Sequence, residues 1–184
     1  NQPPSREHIF GTDSLGRDLW VRCWEGARVS LLIGVVVAFV NASIGILYGR
    51  ISGYVGGTTD HIMMRICEIM AAVPQMLWVT LLVIVMQPGF LPIIIALSVT
   101  GWIGMARLFR GQVFQIKESE FVMASRTLGT GKLWIIFKHL VPNAMSPIIT
   151  SMAFAIPSAI FSEAFLSYIG LGLPLPFASW GNLA

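Results

Sequence analysis

Charge is scarce in this chain. Its 184 residues carry twelve Lys and Arg and nine Asp and Glu, 11% of the total, against about 25% in an ordinary soluble domain. With 55% of its residues hydrophobic, a soluble fold is excluded: too little polar surface exists to cover the apolar remainder, and the solvent that fits is a bilayer. Cysteine is nearly absent. Cys23 and Cys67 make no disulfide framework and are expected to be free thiols near opposite membrane faces. His8, His61 and His139 are scattered without Cys or carboxylate neighbours at metal-ligand spacing, so no metal and no cofactor is expected. Paired carboxylates and Ser/His/Asp groupings are missing too, and the chain is not expected to be an enzyme. Heptads, low-complexity tracts and internal repeats are also missing. Asn1 opens a polar, Pro-containing segment unlike a secretory leader, and the chain reads as an internal piece of a longer polypeptide.

What the chain has is long apolar runs. Four of them, at about 29–50, 64–87, 91–113 and 143–170, approach or exceed the roughly 20 residues a helix needs to cross a bilayer. The expected fold class is therefore all-α, a polytopic membrane protein. Gly34, Gly45, Pro74, Gly101, Gly104, Pro147 and Pro157 interrupt the runs, which a bundle tolerates where neighbouring helices satisfy the freed backbone groups. The second run is expected to start as a helix at 60–62, with Thr59 or Asp60 as its N-cap. The connections are 50–59, a tight turn at 88–90, and a long polar interval at 117–143.

Orientation follows from where the basic residues fall. With 50–59 and 117–143 on the cytoplasmic side, that side holds Arg50, Arg65, Arg107, Arg110, Lys117, Arg126, Lys132 and Lys138; the other holds Arg6, Arg17, Arg22 and Arg28. Eight against four puts residues 1–27 and 171–184 outside. Arg107 and Arg110, one turn apart, are expected to snorkel at the inner interface. Arg65 and Glu68 stand at i, i+3 and are expected to pair. Glu163, the lone acid of the last run, belongs either to a translocation path or to packing near the outer surface, and packing is the expectation. Trp78 and Trp102 read as packing or belt residues, and Met63, Met64, Met70 and Met76 as gap-fillers.

The interval 117–143, KESEFVMASRTLGTGKLWIIFKHLVPN, has its own pattern. Phe121, Ala124, Ser125 and Leu128 follow i, i+3, i+4, i+7, one face of a two-turn helix. Gly129 suits the left-handed residue that ends a helix. A second helical run at 132–141 leads through Pro142 into the membrane. On physical grounds alone the interval is as well explained by an ordinary hairpin of amphipathic helices as by a docking element. The Gly131-Lys132 pair does not make a phosphate-binding loop: that pattern needs a Gly where Arg126 stands and a Ser or Thr where Leu133 stands.

In Ala124, Arg126, Leu128, Gly129, Ile136, Phe137, His139, Pro142 and Asn143 the interval resembles the cytoplasmic "EAA" loop of bacterial ABC importer permeases, in the form found in the dipeptide, oligopeptide and nickel permease group. Met123 stands where the general motif has its Glu, and Ser125 where it has a second Ala. The resemblance continues in order along the chain. It includes Phe10-Gly11-Thr12-Asp13, Gly16-Arg17-Asp18 and the run from Gly26 to Leu31. Near the other end it takes in Ser162-Glu163-Ala164, the run from Leu166 to Gly172, and Ala178-Ser179-Trp180-Gly181-Asn182.

This resemblance implies a type I ABC importer transmembrane-domain fold with four of about six helices present, in a multi-pass protein of the bacterial inner membrane. Residues 28–184 would form an incomplete permease domain and 117–142 its coupling loop. The resemblance further implies a homologous second permease subunit, cytoplasmic ABC ATPase subunits, an extracytoplasmic substrate-binding protein and no nucleic acid. Phe121, Met123, Ala124, Ser125, Arg126, Leu128, Gly129, His139 and Pro142 would couple to an ATPase subunit. Peptides are the expected cargo, with nickel or glutathione as alternatives inside the family. A secondary transporter working without an ATPase is a further alternative, disfavoured because the apolar runs hold almost no ionisable groups.

Overall fold

A computed structural model describes residues 2–131, 134, 138, 141–174 and 177–183, and for Arg126, Val141 and Asn143 the backbone. Most of the expected second arm at 132–141, with His139, therefore lies outside the described residues. The described elements are helices: α1 (Leu19–Val55), α2 (Gly57–Ala72), α3 (Gln75–Met86), α4 (Phe90–Lys117), α5 (Glu120–Thr127), α6 (Val141–Tyr168) and the one-turn α7 (Trp180–Leu183). Among them α1, α4 and the stretch Ala144–Tyr168 of α6 are each long and apolar enough to cross a membrane.

Two expectations about helix limits need correction. The first helix reaches far beyond 29–50 at both ends. It starts at Leu19 because Asp18 caps it, accepting hydrogen bonds from the amides of Trp20 (2.8 Å) and Val21 (3.4 Å). It continues to Val55, so most of the expected 50–59 loop is helix, and the chain turns at Gly56 and Gly57 with φ of 69° and 56°, a left-handed conformation that costs glycine little. Gly56, not Thr59 or Asp60, is the N-cap of α2.

The second expected run is two helices, α2 and α3, bent by 75° at the break between them. Pro74 explains the break. It has no amide proton to give, and it drives Val73 into the extended conformation seen there, φ −91° and ψ 127°. Pro142 sits in the first turn of α6, where a missing N–H costs nothing.

The chain forms two compact units whose boundaries fall inside helices. One comprises 1–37, 78–97 and 156–184, the other 38–77 and 98–155. The core of the first is Ile33, Val37, Val79, Val83, Ile93, Leu97 and Leu166, with smaller neighbours. The second is built around Phe109, Val113, Ile116, Val122, Ala144 and Ile148, with a smaller cluster of Cys67, Trp102, Ile103 and Ala106. Cys23 and Cys67 are both free. Trp102 is a packing residue: it is buried, donates its indole N–H to the Val99 carbonyl at 2.8 Å, and lies 4.7 Å from the Tyr48 ring.

Candidate functional site

The helix of the polar interval is α5. It ends as Gly129 predicts: φ is 76° there, and the Thr130 amide bonds back to the Ser125 carbonyl at 3.1 Å, the longer bond of a Schellman turn. Ser119, just ahead of α5, turns its hydroxyl backward onto the Ile116 carbonyl (2.6 Å) and so satisfies one of the last acceptors of α4. Phe121, Met123, Ala124 and Leu128 are exposed, Leu128 at 86%, and Ser125 is half-buried. An apolar surface is thus turned away from the unit. The residue that seats α5 is Val122, fully buried with Phe109, Val113, Ile116 and Ile148. Its position, between two residues of the expected face, was the signal: a short helix needs one residue inward for each face it shows outward.

Beneath α5 the helices meet closely. On α1, Gly45, Gly49 and Gly53 stand four residues apart, and all three abut α4. A Cβ on Gly45 would lie 2.6 Å from Met105 Cβ, one on Gly49 would overlap the Ala106 carbonyl oxygen, and one on Gly53 would lie 2.9 Å from Val113 Cβ. The spacing is the small-residue stripe by which membrane helices bring their backbones together. Packing at this distance comes from dispersion and shape, since in lipid little hydrophobic driving force remains between helices.

At the end of that seam a charged group is enclosed. Asp60 of α2 is buried, and both its oxygens accept from Arg110 of α4, Oδ1 from Nε and Oδ2 from Nη2; Ser52 of α1 also donates to Oδ1. The Arg110 guanidinium lies 4.6 Å above the Phe114 ring. Arg110 therefore corrects the snorkelling expectation, because its head is turned inward to a carboxylate. Arg107 is exposed, as snorkelling requires. Arg65 and Glu68 pair as expected, at 2.9 Å on the surface. One turn past Phe114, Lys117 donates to the Tyr54 carbonyl (3.1 Å), a free acceptor in the last turn of α1.

In the other unit, Glu163 is fully buried. Ser167 donates to its Oε1 at 2.8 Å and Ser30 of α1 to its Oε2 at 3.4 Å. Ser30 Oγ in turn accepts from the Trp180 amide at 3.1 Å, and the Trp180 indole donates to the Cys23 carbonyl at 3.1 Å. Two glycines let the turn at 177–183 lie down on these helices: a Cβ on Gly26 would lie 3.0 Å from the Ser179 backbone, and one on Gly181 2.5 Å from Ala164 Cα. Glu163 thus packs against Ser30 and Ser167 within this unit.

The segment ahead of α1 is organised by two aspartates. Asp13 Oδ1 accepts from the amides of Leu15 and Arg17 (both 2.9 Å), and its Oδ2 from Arg17 Nε (2.8 Å) and Arg22 Nη1 (2.7 Å). The Arg17 amide, followed by the Arg17 guanidinium, the Leu15 amide and the Arg22 guanidinium, holds the Asp13 carboxyl well below the usual carboxylate range, against the opposing effect of burial. Asp18 is also lowered, first by the hydrogen bond from His8 (2.8 Å) and then by the helix amides it caps, again against burial.

Carboxyls that titrate lower when folded add stability that is fully present above their unfolded pKa of about 3.9 and is lost as the pH falls through their folded values. Amide exchange across 10–22, read by mass spectrometry, should therefore stay protected from pH 7 down to about 4 and open only below that. In Asp13→Asn the opening should be present already at pH 7. Equal protection of parent and variant at pH 7 would contradict this account.

Comparison with known proteins agrees with this architecture. Residues 45–183 match the family described as "Binding-protein-dependent transport system inner membrane component". The oligopeptide transport system permease protein OppC of Bacillus subtilis (strain 168) is 55% identical over all 184 residues, and the dipeptide transport system permease protein DppC of the same organism is 54% identical. OppC of Escherichia coli (strain K12) is 43% identical over 96% of the chain. The chain spans 60%, 58% and 58% of the lengths of these three relatives.

Among solved structures, one titled "Crystal structure of an amino acid ABC transporter with histidines" superposes with a TM-score of 0.54 at 17% identity, covering 77% of this chain and 71% of that one. At that identity the likeness speaks for the fold. Family model, ordered relatives and fold converge: the chain belongs to the family of binding-protein-dependent transport system inner membrane components.

Proposed function

We propose that this chain is the membrane-spanning permease part of an ATP-driven importer that takes up peptides, and that α5 is where an ATPase subunit docks. The observation that carries the proposal is the state of α5. Its apolar residues Phe121, Met123, Ala124 and Leu128 are exposed, although the chain has a buried core within reach, as Val122 demonstrates. A helix ended sharply by Gly129 and seated through the buried Val122 offers a short, stiff knob for a groove on another protein. The surrounding basic residues put this end on the cytoplasmic side, where ATP is. Ordered relatives named for oligopeptide and dipeptide transport support a peptide cargo.

In this reading the chain hydrolyses nothing itself. Closure of two ATPase subunits displaces α5, the displacement passes into the helices, and the path between this chain and a second permease opens outward to a substrate-binding protein. Ala124, Ser125, Arg126, His139 and Pro142 belong to the same docking element.

Ala124 supplies the test, because it is small and exposed. Ala124→Cys, in the full-length permease copurified with its ATPase and binding protein, should crosslink to the ATPase with a short reagent that is thiol-reactive at one end and photoreactive at the other, the photoreactive end inserting into whatever C–H or N–H bond lies within reach, and ATP should alter the yield. An active complex without that crosslink would refute docking through α5.

A further inference from the structure

We infer that Asp60 and Arg110 are positioning residues for transport: the pair locks α4, on which α5 is seated, to the ends of α1 and α2, so that a push on α5 displaces three helices together. The inference rests on the reading of α5 as the ATPase-facing helix and adds to it the part that carries the motion onward.

The geometry is that of a lock rather than of a surface ion pair. Asp60 is 5% exposed and meets Arg110 with both oxygens. A guanidinium paired this way with a carboxylate is fixed in its plane as well as in its separation, whereas two apolar surfaces can slide. Ser52 occupies a further acceptor position on Asp60 Oδ1, so helices α1, α2 and α4 meet on one carboxylate. Lys117 ties the last turn of α4 to the last turn of α1 through the Tyr54 carbonyl, at 3.1 Å. Only residues 118 and 119 then separate α4 from α5, and Val122 is buried against Phe109, Val113 and Ile116 of α4.

The pair is also placed where a loss of fit is costly. Asp60 is buried while Arg110 is partly exposed, so loss of the guanidinium leaves a poorly hydrated carboxylate and the arrangement favours the paired state. Rigid elements of this kind can carry energetic coupling between distant sites.

The test uses the complete complex in proteoliposomes, with peptide uptake and ATP hydrolysis measured side by side. Arg110→Lys keeps the charge and loses the two-pronged bond, and Asp60→Asn keeps the shape and loses the charge. In both, uptake per ATP hydrolysed should fall about tenfold while hydrolysis stays within about twofold of the parent. Asp60→Glu should recover at least half of the ratio. If uptake and hydrolysis fall in proportion, if the ratio is unchanged, or if Asp60→Glu is as poor as Asp60→Asn, the inference is overturned. Should Asp60→Asn fail to assemble, Arg110→Lys carries the same decision. The Ala124→Cys crosslink, run in each variant, separates the two claims. A retained crosslink with an unchanged ratio overturns the lock alone; no crosslink in the otherwise unaltered complex overturns the docking reading.

Discussion

Gly49→Leu is expected to cost the chain its folded state. A side chain at that position has nowhere to go: its Cβ would overlap the Ala106 carbonyl oxygen and lie 3.0 Å from the Arg110 nitrogen and 3.1 Å from Phe109 Cβ. Two of those atoms are backbone, so no rotamer change relieves the clash and α1 must move off α4. The expected loss is at or above the upper end of the ~1–3 kcal/mol typical of overpacking, because separation also draws Ser52 from Asp60 and Tyr54 from Lys117. Gly104→Leu is the matched control, since a Cβ there meets nothing within 4 Å. The measurement is thermal unfolding in detergent, followed by the surviving monodisperse fraction. Gly104→Leu should track the parent and Gly49→Leu should be aggregated at temperatures where the parent is intact. Similar curves for the two leucine variants would show that the glycine seam is not load-carrying.

Glu163→Lys should be nearly as damaging, and Glu163→Gln mild. The carboxyl is fully buried and is held by two hydroxyl donors, Ser30 and Ser167; among the described residues no basic side chain is bonded to it. Glutamine keeps the shape and one acceptor oxygen, so both hydroxyls can still be served, at a cost of about 1 kcal/mol. Lysine offers only donors to the same two hydroxyls and brings a charge with no counter-ion, a change of about 3–5 kcal/mol by comparison with other unpaired buried charges. The damage should show first at 177–183, because Ser30 also holds the Trp180 amide at 3.1 Å. Protease cleavage in that turn, followed on intact membranes, is the readout. Equal resistance in the lysine variant and the parent would dismiss Glu163 as the anchor of the turn.

Much of the molecule was legible beforehand, for reasons that differ by element. The membrane solvent follows from composition, which needs no coordinates. Helix α5 was legible because its signals are local: a two-turn apolar spacing and a glycine to end it, both within eight residues on either side. The 75° bend in the second span was not legible, since hydropathy is blind to direction and Pro74 marks an interruption without giving its angle. The N-cap at Thr59 or Asp60 failed because Asp60 is drawn to Arg110, a partner 50 residues away, and a long-range charge pair outcompetes a local cap. Of the glycines at 45, 49 and 53, only Gly45 stood out as an interruption of a span. Their regular spacing carried more, namely a surface flat enough for another backbone, but spacing does not name the helix that uses it.

By itself, the sequence determined the solvent, the helical class, the sharp end of α5 and the absence of a phosphate-binding loop, because each depends on the residues within a few turns of one another. Only the tertiary structure decided that Arg110 turns inward, that Val122 seats α5, and that Glu163 serves Ser30 from 133 residues away. Those choices are made when helices remote in sequence pack. A buried polar group then takes whichever partner the packing brings within hydrogen-bond reach, since in a bilayer no water is there to substitute.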